Sequence, residues 1–390
     1  MTDAAPPGDI RITEVLRRRD VRDFIDVPYV IYRDDPYWVA PLRREVRKLL
    51  DRRRNPFFDH GEACYWIAWR GSTAVGRISA QINHQHLAIH KDATGNFGFF
   101  EAIDDPVVIH ALLETAESWL RARGMSRILG PYSLSMNDEI GILVSGFESR
   151  PMVMMAHSPP YYSRRLEDEG YFKAKDVHAY LINSTAEAHK GILERIEKVR
   201  IRLHELRGIL IRASDKRRFK DDMRLMMDIY NDAWSDNWGF IPLTEREVDY
   251  IAQSIRPIVR YEAFLFGFID GRPEGVLISV PDLNEAIADL GGRIFPFGWA
   301  KLLWRLNVRY PKSFRVILRG VRKASRATPL GTALNILSLA EMIKVGRARG
   351  VERVELSWIL EDNKATIAAI RSSGAKLSKV YRIYCKALTA

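Results

Sequence analysis

One order of elements is written twice along these 390 residues, and that repetition limits the fold more than any single motif does. Short apolar runs and longer amphipathic ones alternate as strand, two helices, three strands, helix, strand, helix, strand. In the first copy IRITEV (10–15) reads as a strand, and 19–33 and 42–54 as helices. CYWIAWRGSTAVGRISAQI (64–82) reads as two strands around a turn at Gly71 and Ser72. NFGFFEAI (96–103) is a third strand, and 105–124 a helix with Pro106 near its start and Gly124 at its end. Strands at 127–133 and 176–182 flank a helix at 159–171. The second copy begins with a strand at 209–214, helices at 221–234 and 243–255, and a hairpin over 262–280 turning at Asp270 and Gly271. It ends with strand 314–321, helix 330–350, strand 353–359, helix 363–375 and strand 379–388.

Two copies predict two tandem domains of α/β (α+β) class, each a mixed and mainly antiparallel sheet flanked by helices. The boundaries drawn are a tail at 1–9, domains at 10–185 and 208–390, a charged helical connection at 186–207, and an insertion at 284–312.

Charge narrows the partners. Sixty Lys and Arg against 49 Asp and Glu leave a net charge of +11, which favours an anionic partner. The excess is concentrated: residues 290–340 hold ten basic residues and no acidic one. Cys64 and Cys385 are the only cysteines, both in strand-like runs, so disulfide and zinc frameworks are excluded and no metal is expected. The histidines of INHQHLAIH (82–90) lie on a stretch that reads as irregular and does not suggest a metal site. No signal peptide and no 18-residue apolar run occurs, so a cytoplasmic protein is expected. Nucleic acid is not expected as a partner, because no helix-turn-helix, zinc finger or RNP-type aromatic pattern accompanies the charge.

The stretch 314–374 carries the clearest chemistry. A strand ends at Val321, and a basic loop with Arg322, Lys323 and Arg326 leads past Thr328 and Gly331 into a helix. Free N–H groups and the dipole at a helix start favour phosphate, and Gly331 lets it approach the backbone. The same residues also read as a helix capped by Thr328 with solvated cations. With ELSWILEDNKATIAAIRSSGA (355–375) and the strand carrying Tyr381 and Tyr384, this order resembles the C-terminal signature of the GCN5-related N-acyltransferases (GNAT). The resemblance implies that acyl-CoA is a co-substrate and that no cofactor is permanently bound. It also implies that Val321, Arg322, Lys323, Arg326, Thr328, Gly331, Thr332, Ala333 and Asn363 surround the coenzyme. Arg326, Gly331 and Ala333 match the family's phosphate loop, with a longer gap between the first two than the pattern has. The position of the family's thiolate-protonating tyrosine falls near Ile370, so Tyr381 or Tyr384 substitutes or the thiolate leaves unassisted.

The first copy has Asp104, Asp105 and Pro106 where a phosphate loop would be, so it is not the expected coenzyme domain. Its polar clusters lie at SMNDEIG (135–141) and MAHSPPYY (155–162). An ammonium must lose a proton before it attacks a thioester, so a positioned base is required. His157 or Glu139 is the expected base, with Asp138 and Tyr161 as further candidates.

DPYWVAPLRREVRKLL (35–50), NPFFDHGE (55–62), GFFEAIDD, GPYSLSMNDEIGILV and NDAWSDNWGFIPLTEREVDY (231–250) together resemble the bacterial ceramide synthase subgroup of tandem GNAT proteins over about residues 10–388. That resemblance implies transfer of a fatty acyl group to the amine of a long-chain sphingoid base, in sphingolipid biosynthesis. The alternatives are a GNAT enzyme acting on a protein, a small amine or an aminoacyl-tRNA-dependent acceptor, and a non-enzymatic membrane-binding scaffold. RIFPFGWAKLLWRLNVRYPK (293–312) mixes aromatic, aliphatic and basic residues, as an interfacial helix on anionic lipid does. A helix packed on its own domain with snorkelling basic stems has the same composition. The lipid reading places the protein peripherally on the cytosolic face of the inner membrane.

Overall fold

Cys64 to Ala68 show no polar alternation because their strand is covered on both faces. In the computed structural model, which describes residues 9–183, 194, 208–256 and 260–389, this run lies in β2 (Gly61–Arg70). β1 (Ile10–Glu14) pairs with it on one side and β3 (Thr73–Asn83) on the other. Cys64, Trp66 and Ala68 face one core with Leu112, Leu113 and Leu120 of α4 (Pro106–Arg121). Tyr65 and Ile67 face the opposite core with Phe24, Ile25 and Val27 of α1 (Arg18–Ile31). The two-residue period of a strand does this sorting.

The chain forms two units. The first comprises the residues up to Val177 with Leu290–Arg293 and Lys379–Ala390, and the second comprises His178–Asp289 with Ile294–Ser378. In the first, β4 (Thr94–Ala102) pairs antiparallel with β3, and β5 (Arg127–Gly130) runs parallel to β4. β13 (Lys376–Ala387) is antiparallel to both β5 and β6 (Ile142–Ser145). In the second, β8 (Ile209–Ala213), β9 (Phe264–Ile269), β10 (Arg272–Pro281) and β11 (Ser313–Val321) form an antiparallel series, and β12 (Arg353–Leu360) is parallel to β11. Each sheet therefore repeats the other, with its parallel pair in the same place.

The second unit sorts its side chains in the same way. Phe264, Phe266 and Val276 pack with Phe219, Met223 and Met226 of α6 (Phe219–Ala233). Leu265 and Leu277 pack with Met342 of α11 (Pro329–Ala348) and Ile367 of α12 (Lys364–Ser372).

The remaining helices are α2 (Arg43–Leu49), α3 (His84–His90), α5 (Tyr161–Asp168), α7 (Glu245–Ile255), α8 (Leu283–Ile287), α9 (Gly298–Asn307) and α10 (Lys323–Arg326). β7 (Phe172–Asn183) crosses the unit boundary.

Several local expectations change. Residues 84–90 are helical rather than irregular, because the Asn83 side chain accepts the His86 N–H at 3.1 Å and caps the turn. The helix expected to 54 stops at Leu49. The last strand, drawn with the second domain, has its partners in the first unit from Lys379 onward. Periodicity marks a strand but does not name its neighbour. The connection expected at 186–207 lies, but for Glu194, outside the described residues.

Candidate active site

The parallel pairs open differently in the two units. In the second, β11 and β12 are in register only from Ser313–Arg353 to Val316–Leu356, although the strands continue to Val321 and Leu360. An irregularity in the β10–β11 ladder falls at the same level, between Ile278 and Ser279. In the first unit the β4–β5 register covers Thr94–Asn96, and the residues beyond close over it. Tyr132 donates its N–H to the Phe97 carbonyl at 2.8 Å and accepts from Gln81 Nε2 at 2.9 Å. A Cβ on Gly98 would lie 1.6 Å from the Tyr132 oxygen, so this notch is filled by backbone.

After β11 the chain turns through α10 into α11, and Val321, Arg322, Lys323, Arg326, Thr328 and Gly331 come together there. Thr328 Oγ1 accepts the Gly331 N–H at 3.0 Å and so caps α11. Gly331 is needed for packing: a Cβ would meet the Ser325 carbonyl oxygen at 1.9 Å. The segment 228–236 fastens this turn. Arg322 pairs with Asp228, Lys323 N–H donates to Asp232 at 2.9 Å, and Lys323 Nζ reaches Asp236 at 2.5 Å. Arg326 stands 3.6 Å from Asp236, and Trp234 lies against Gly320. The cations read as solvated or phosphate-seeking are thus already matched by carboxylates. On α11, Thr332 is exposed and Ala333 buried, while Asn363 caps α12 by accepting the Thr366 N–H at 3.2 Å.

The first unit holds a cavity of about 430 Å³, lined by Asp34, Asp35, Tyr37, Phe147, Glu148 and His157 among others. The turn after α1 builds its floor. Asp35 Oδ1 accepts the N–H groups of Tyr37 at 2.8 Å and Trp38 at 3.2 Å, a local turn that aims its other oxygen. That oxygen, Oδ2, lies 2.8 Å from His157 Nε2. His157 follows β6 and is held by its neighbour, since Ser158 Oγ accepts the Leu143 N–H at 2.8 Å. The His157 side chain is 5% exposed, and its Nδ1 has no hydrogen-bond partner among the described residues.

This geometry sets the tautomer. The Asp35 carboxylate accepts a hydrogen bond from Nε2–H, which leaves the lone pair on Nδ1. Burial lowers the His157 pKa, against the hydrogen bond and charge of Asp35, which raise it. The imidazole is therefore neutral at pH 7, as a base must be. Burial works to raise the Asp35 pKa, but the His157 hydrogen bond and the backbone donors hold it below the usual carboxylate range.

A polar network lies behind this dyad. Tyr32 packs on His157 with ring centroids 5.7 Å apart and stacks on Trp38 at 5.1 Å. Its hydroxyl lies 2.8 Å from Glu101 Oε2 and 3.1 Å from the His157 carbonyl. Tyr162 brings a second hydroxyl to Glu101 at 2.9 Å, and Arg77 stands 3.8 Å from the other carboxyl oxygen. Burial raises the Glu101 pKa to about 7, against Arg77 and the two hydroxyls.

Of the other expected catalytic residues, Glu139 is exposed and lies close enough to raise the Glu101 pKa by its charge. Asp138 accepts from Ser135 N–H at 3.1 Å and Oγ at 2.9 Å, which shapes a turn. Tyr161 donates to the Ala102 carbonyl at 2.7 Å, and Tyr381 is fully buried on β13. The Tyr384 hydroxyl lies 2.7 Å from Ser163 and 3.0 Å from Glu167. Asp35, Tyr32, Arg77 and Glu101 were not singled out from sequence. The signal for Glu101 was a carboxylate inside the apolar run NFGFFEAI. The signal for Asp35 was Asp-Pro-Tyr after a helix.

No family model matches the chain. A Caulobacter vibrioides (strain NA1000 / CB15N) protein named bacterial ceramide synthase is 40% identical over 382 residues, 98% of each chain. Protein YghO of Escherichia coli (strain K12) is 37% identical over 375 residues, 95% of this chain and 94% of that one. Among solved structures, a tandem GNAT protein from the clavulanic acid biosynthesis pathway superposes with a TM-score of 0.57 at 12% identity, covering 98% of this chain and 99% of its own. A GCN5-related N-acetyltransferase from Sphaerobacter thermophilus gives 0.53 at 15% identity over 98% and 97%. These two likenesses show the tandem fold.

Proposed function

The chain belongs to the bacterial ceramide synthase family, and on that premise we propose that it transfers a fatty acyl group from acyl-CoA to the amine of a long-chain sphingoid base. The observation that carries the chemistry is the His157–Asp35 pair in the wall of a cavity. An ammonium gives one proton to His157 Nδ1, and Asp35 stabilises the imidazolium. The free amine attacks the thioester carbonyl carbon, the C–N bond forms and the C–S bond breaks. The second amine proton leaves with the thiolate as free thiol, and His157 returns its proton to water. The opened β11–β12 pair and the start of α11 fit the coenzyme arm and phosphates, with Lys323 and Arg326 exchanging Asp236 for phosphate.

The test is thiol release across acyl-CoA lengths, with product mass spectrometry. We expect release with long-chain acyl-CoA only when a sphingoid base is present, and an amide product. A Lys323→Ala, Arg326→Ala double variant should bind acyl-CoA about tenfold more weakly, by losing two phosphate partners. Release independent of any amine, or undiminished coenzyme affinity in the variant, overturns the respective assignment.

The insertion supports a peripheral place on the cytosolic face of the inner membrane. No described helix is long and apolar enough to cross a membrane. Instead Phe295 (70% exposed), Phe297 (80%), Trp299, Leu303, Trp304 and Val308 stand in solvent on and around α9. The charge beside them is smaller than the sequence suggests. Lys301 and Arg305 pair with Asp289, Lys312 with Glu352, and Arg322, Lys323 and Arg326 with Asp228 and Asp236. Arg315 is buried and donates to Ser357 at 2.7 Å. Aromatic insertion therefore dominates over charge. Vesicle flotation should show Trp299→Ser, Trp304→Ser losing most lipid binding, and the unmodified protein losing only part of it in high salt.

A further inference from the structure

We propose that Arg319 is a further catalytic residue, the cation that holds the coenzyme thiolate when the C–S bond breaks. This rests on the reading that the coenzyme arm enters the opened β11–β12 pair. Arg319 lies on the stretch of β11 that β12 has left, three residues past Val316, the last residue in register. A bulge aims it. Leu277 faces Arg319 and Ile278 faces Leu318, but Ser279 faces Val316, so Ile317 is an extra residue in the ladder. Ile317 and Leu318 therefore both pack on the α6 side, and Arg319 returns to the side of Val316 and α11. Its Nε donates to Asn335 Oδ1 of α11 at 2.8 Å. Without the extra residue, strand alternation would put Leu318 there instead.

The charge on Arg319 is unmatched. Six of the ten cations in 290–340 pair with carboxylates, and buried Arg315 stands in register with Glu355. Arg319 has no ion pair among the described residues. Burial alone pulls its pKa down to about 10, with no carboxylate to offset it. Its two terminal nitrogens have no partner among the described residues, yet neither is sealed from solvent. Holding a desolvated cation without a counter-charge is costly, and an anion that comes and goes repays it. The reaction makes such an anion. The C–S bond breaks with its electron pair going to sulfur, and Arg319 stays protonated throughout. The proton that completes the thiol comes from the amine nitrogen. The phosphates belong elsewhere, at the turn after Val321 with Lys323 and Arg326. A fixed cation in a partly dry opening lowers the energy of the departing thiolate without itself having to move.

The experiment titrates the thiol of coenzyme A bound to the full-length protein, through its rate of alkylation by iodoacetamide against pH. Both cysteines of the protein are buried, and a run without coenzyme corrects for them. Binding should lower the thiol pKa by about one unit. Arg319→Met should abolish that shift, and Arg319→Lys, which keeps a charge, should recover part of it. Arg319→Met should also bind desulfo-coenzyme A as well as the unmodified protein does, and should melt no lower, because it removes an unmatched charge. A thiol pKa unchanged on binding overturns the proposal, as does a shift that survives in Arg319→Met. Weakened binding of the desulfo analogue by Arg319→Met also overturns it, since the residue would then only shape the site. If the unmodified protein binds neither coenzyme form, the coenzyme reading falls and the proposal with it. A lowered thiol pKa without acyl transfer to a sphingoid base would support Arg319 and sink the acceptor named above.

Discussion

Replacing His157 with Gln should lower kcat/KM for acyl transfer by about a thousandfold, within the span that a positioned general base contributes. Gln keeps a polar group beside Asp35 but offers no lone pair able to take a proton at neutral pH. The change should leave acyl-CoA affinity intact, because His157 lines the cavity of the first unit and the expected phosphate partners lie on the turn into α11. Asp35→Asn tests the tautomer. Its amide oxygen can keep the Tyr37 and Trp38 N–H groups, while its NH₂ would face His157 Nε2 and demand an acceptor there. The proton would then sit on Nδ1, and activity should fall by about a hundredfold although the ring stays in place. The pH profile gives the sign. Burial sets the His157 pKa below its ordinary 6.5, so kcat/KM should hold at pH 7 and fall only as the pH drops through that lowered value. A fall beginning well above pH 6.5 would show that a different group is the base.

The architecture was legible because its signals are local. Two-residue alternation broken by CYWIAW, glycine at Gly71 and Gly124, and the hairpin at Asp270–Gly271 all report what one segment does. The site was legible only in part, because its residues come from segments far apart in sequence. His157 could be chosen as a base by residue type. Its partner Asp35 stands 122 residues earlier and reads as one acid in a turn. The charge cluster at 290–340 misled in the opposite direction. Its ten cations share one stretch of sequence, but the carboxylates that pair with six of them, Asp228, Asp236, Asp289 and Glu352, lie outside that stretch and meet them only in the fold. A sequence window counts charges; the folded surface carries what remains after pairing.

The Arg77–Glu101 pair should give the protein a stability that depends on pH in a direction unusual for a carboxylate. Glu101 has a side chain 14% exposed and a pKa raised from 4.5 to about 7. The folded protein therefore holds this proton where the unfolded chain has released it. Stability from the group is fully present below pH 4.5 and is lost as the pH rises through about 7, amounting to on the order of 3 kcal/mol. Arg77 limits the loss, since its charge lowers the Glu101 pKa, and it also donates to the Phe24 carbonyl at 3.0 Å and lies over the Phe24 ring. Arg77→Met removes that restraint and leaves a buried carboxylate alone. It should cost about 3–5 kcal/mol at pH 8 and much less at pH 5, where Glu101 carries its proton in either protein. The Arg77→Met, Glu101→Gln double variant keeps an amide for the Tyr32 and Tyr162 hydroxyls and has neither charge. Urea unfolding from pH 5 to 8 should show a steeper fall for Arg77→Met than for the unmodified protein, and a nearly flat profile for the double variant. Because Tyr32 joins Glu101 to the His157 carbonyl, the single variant should also loosen the base. An unfolding profile for Arg77→Met parallel to that of the unmodified protein would mean that Glu101 is not the titrating group.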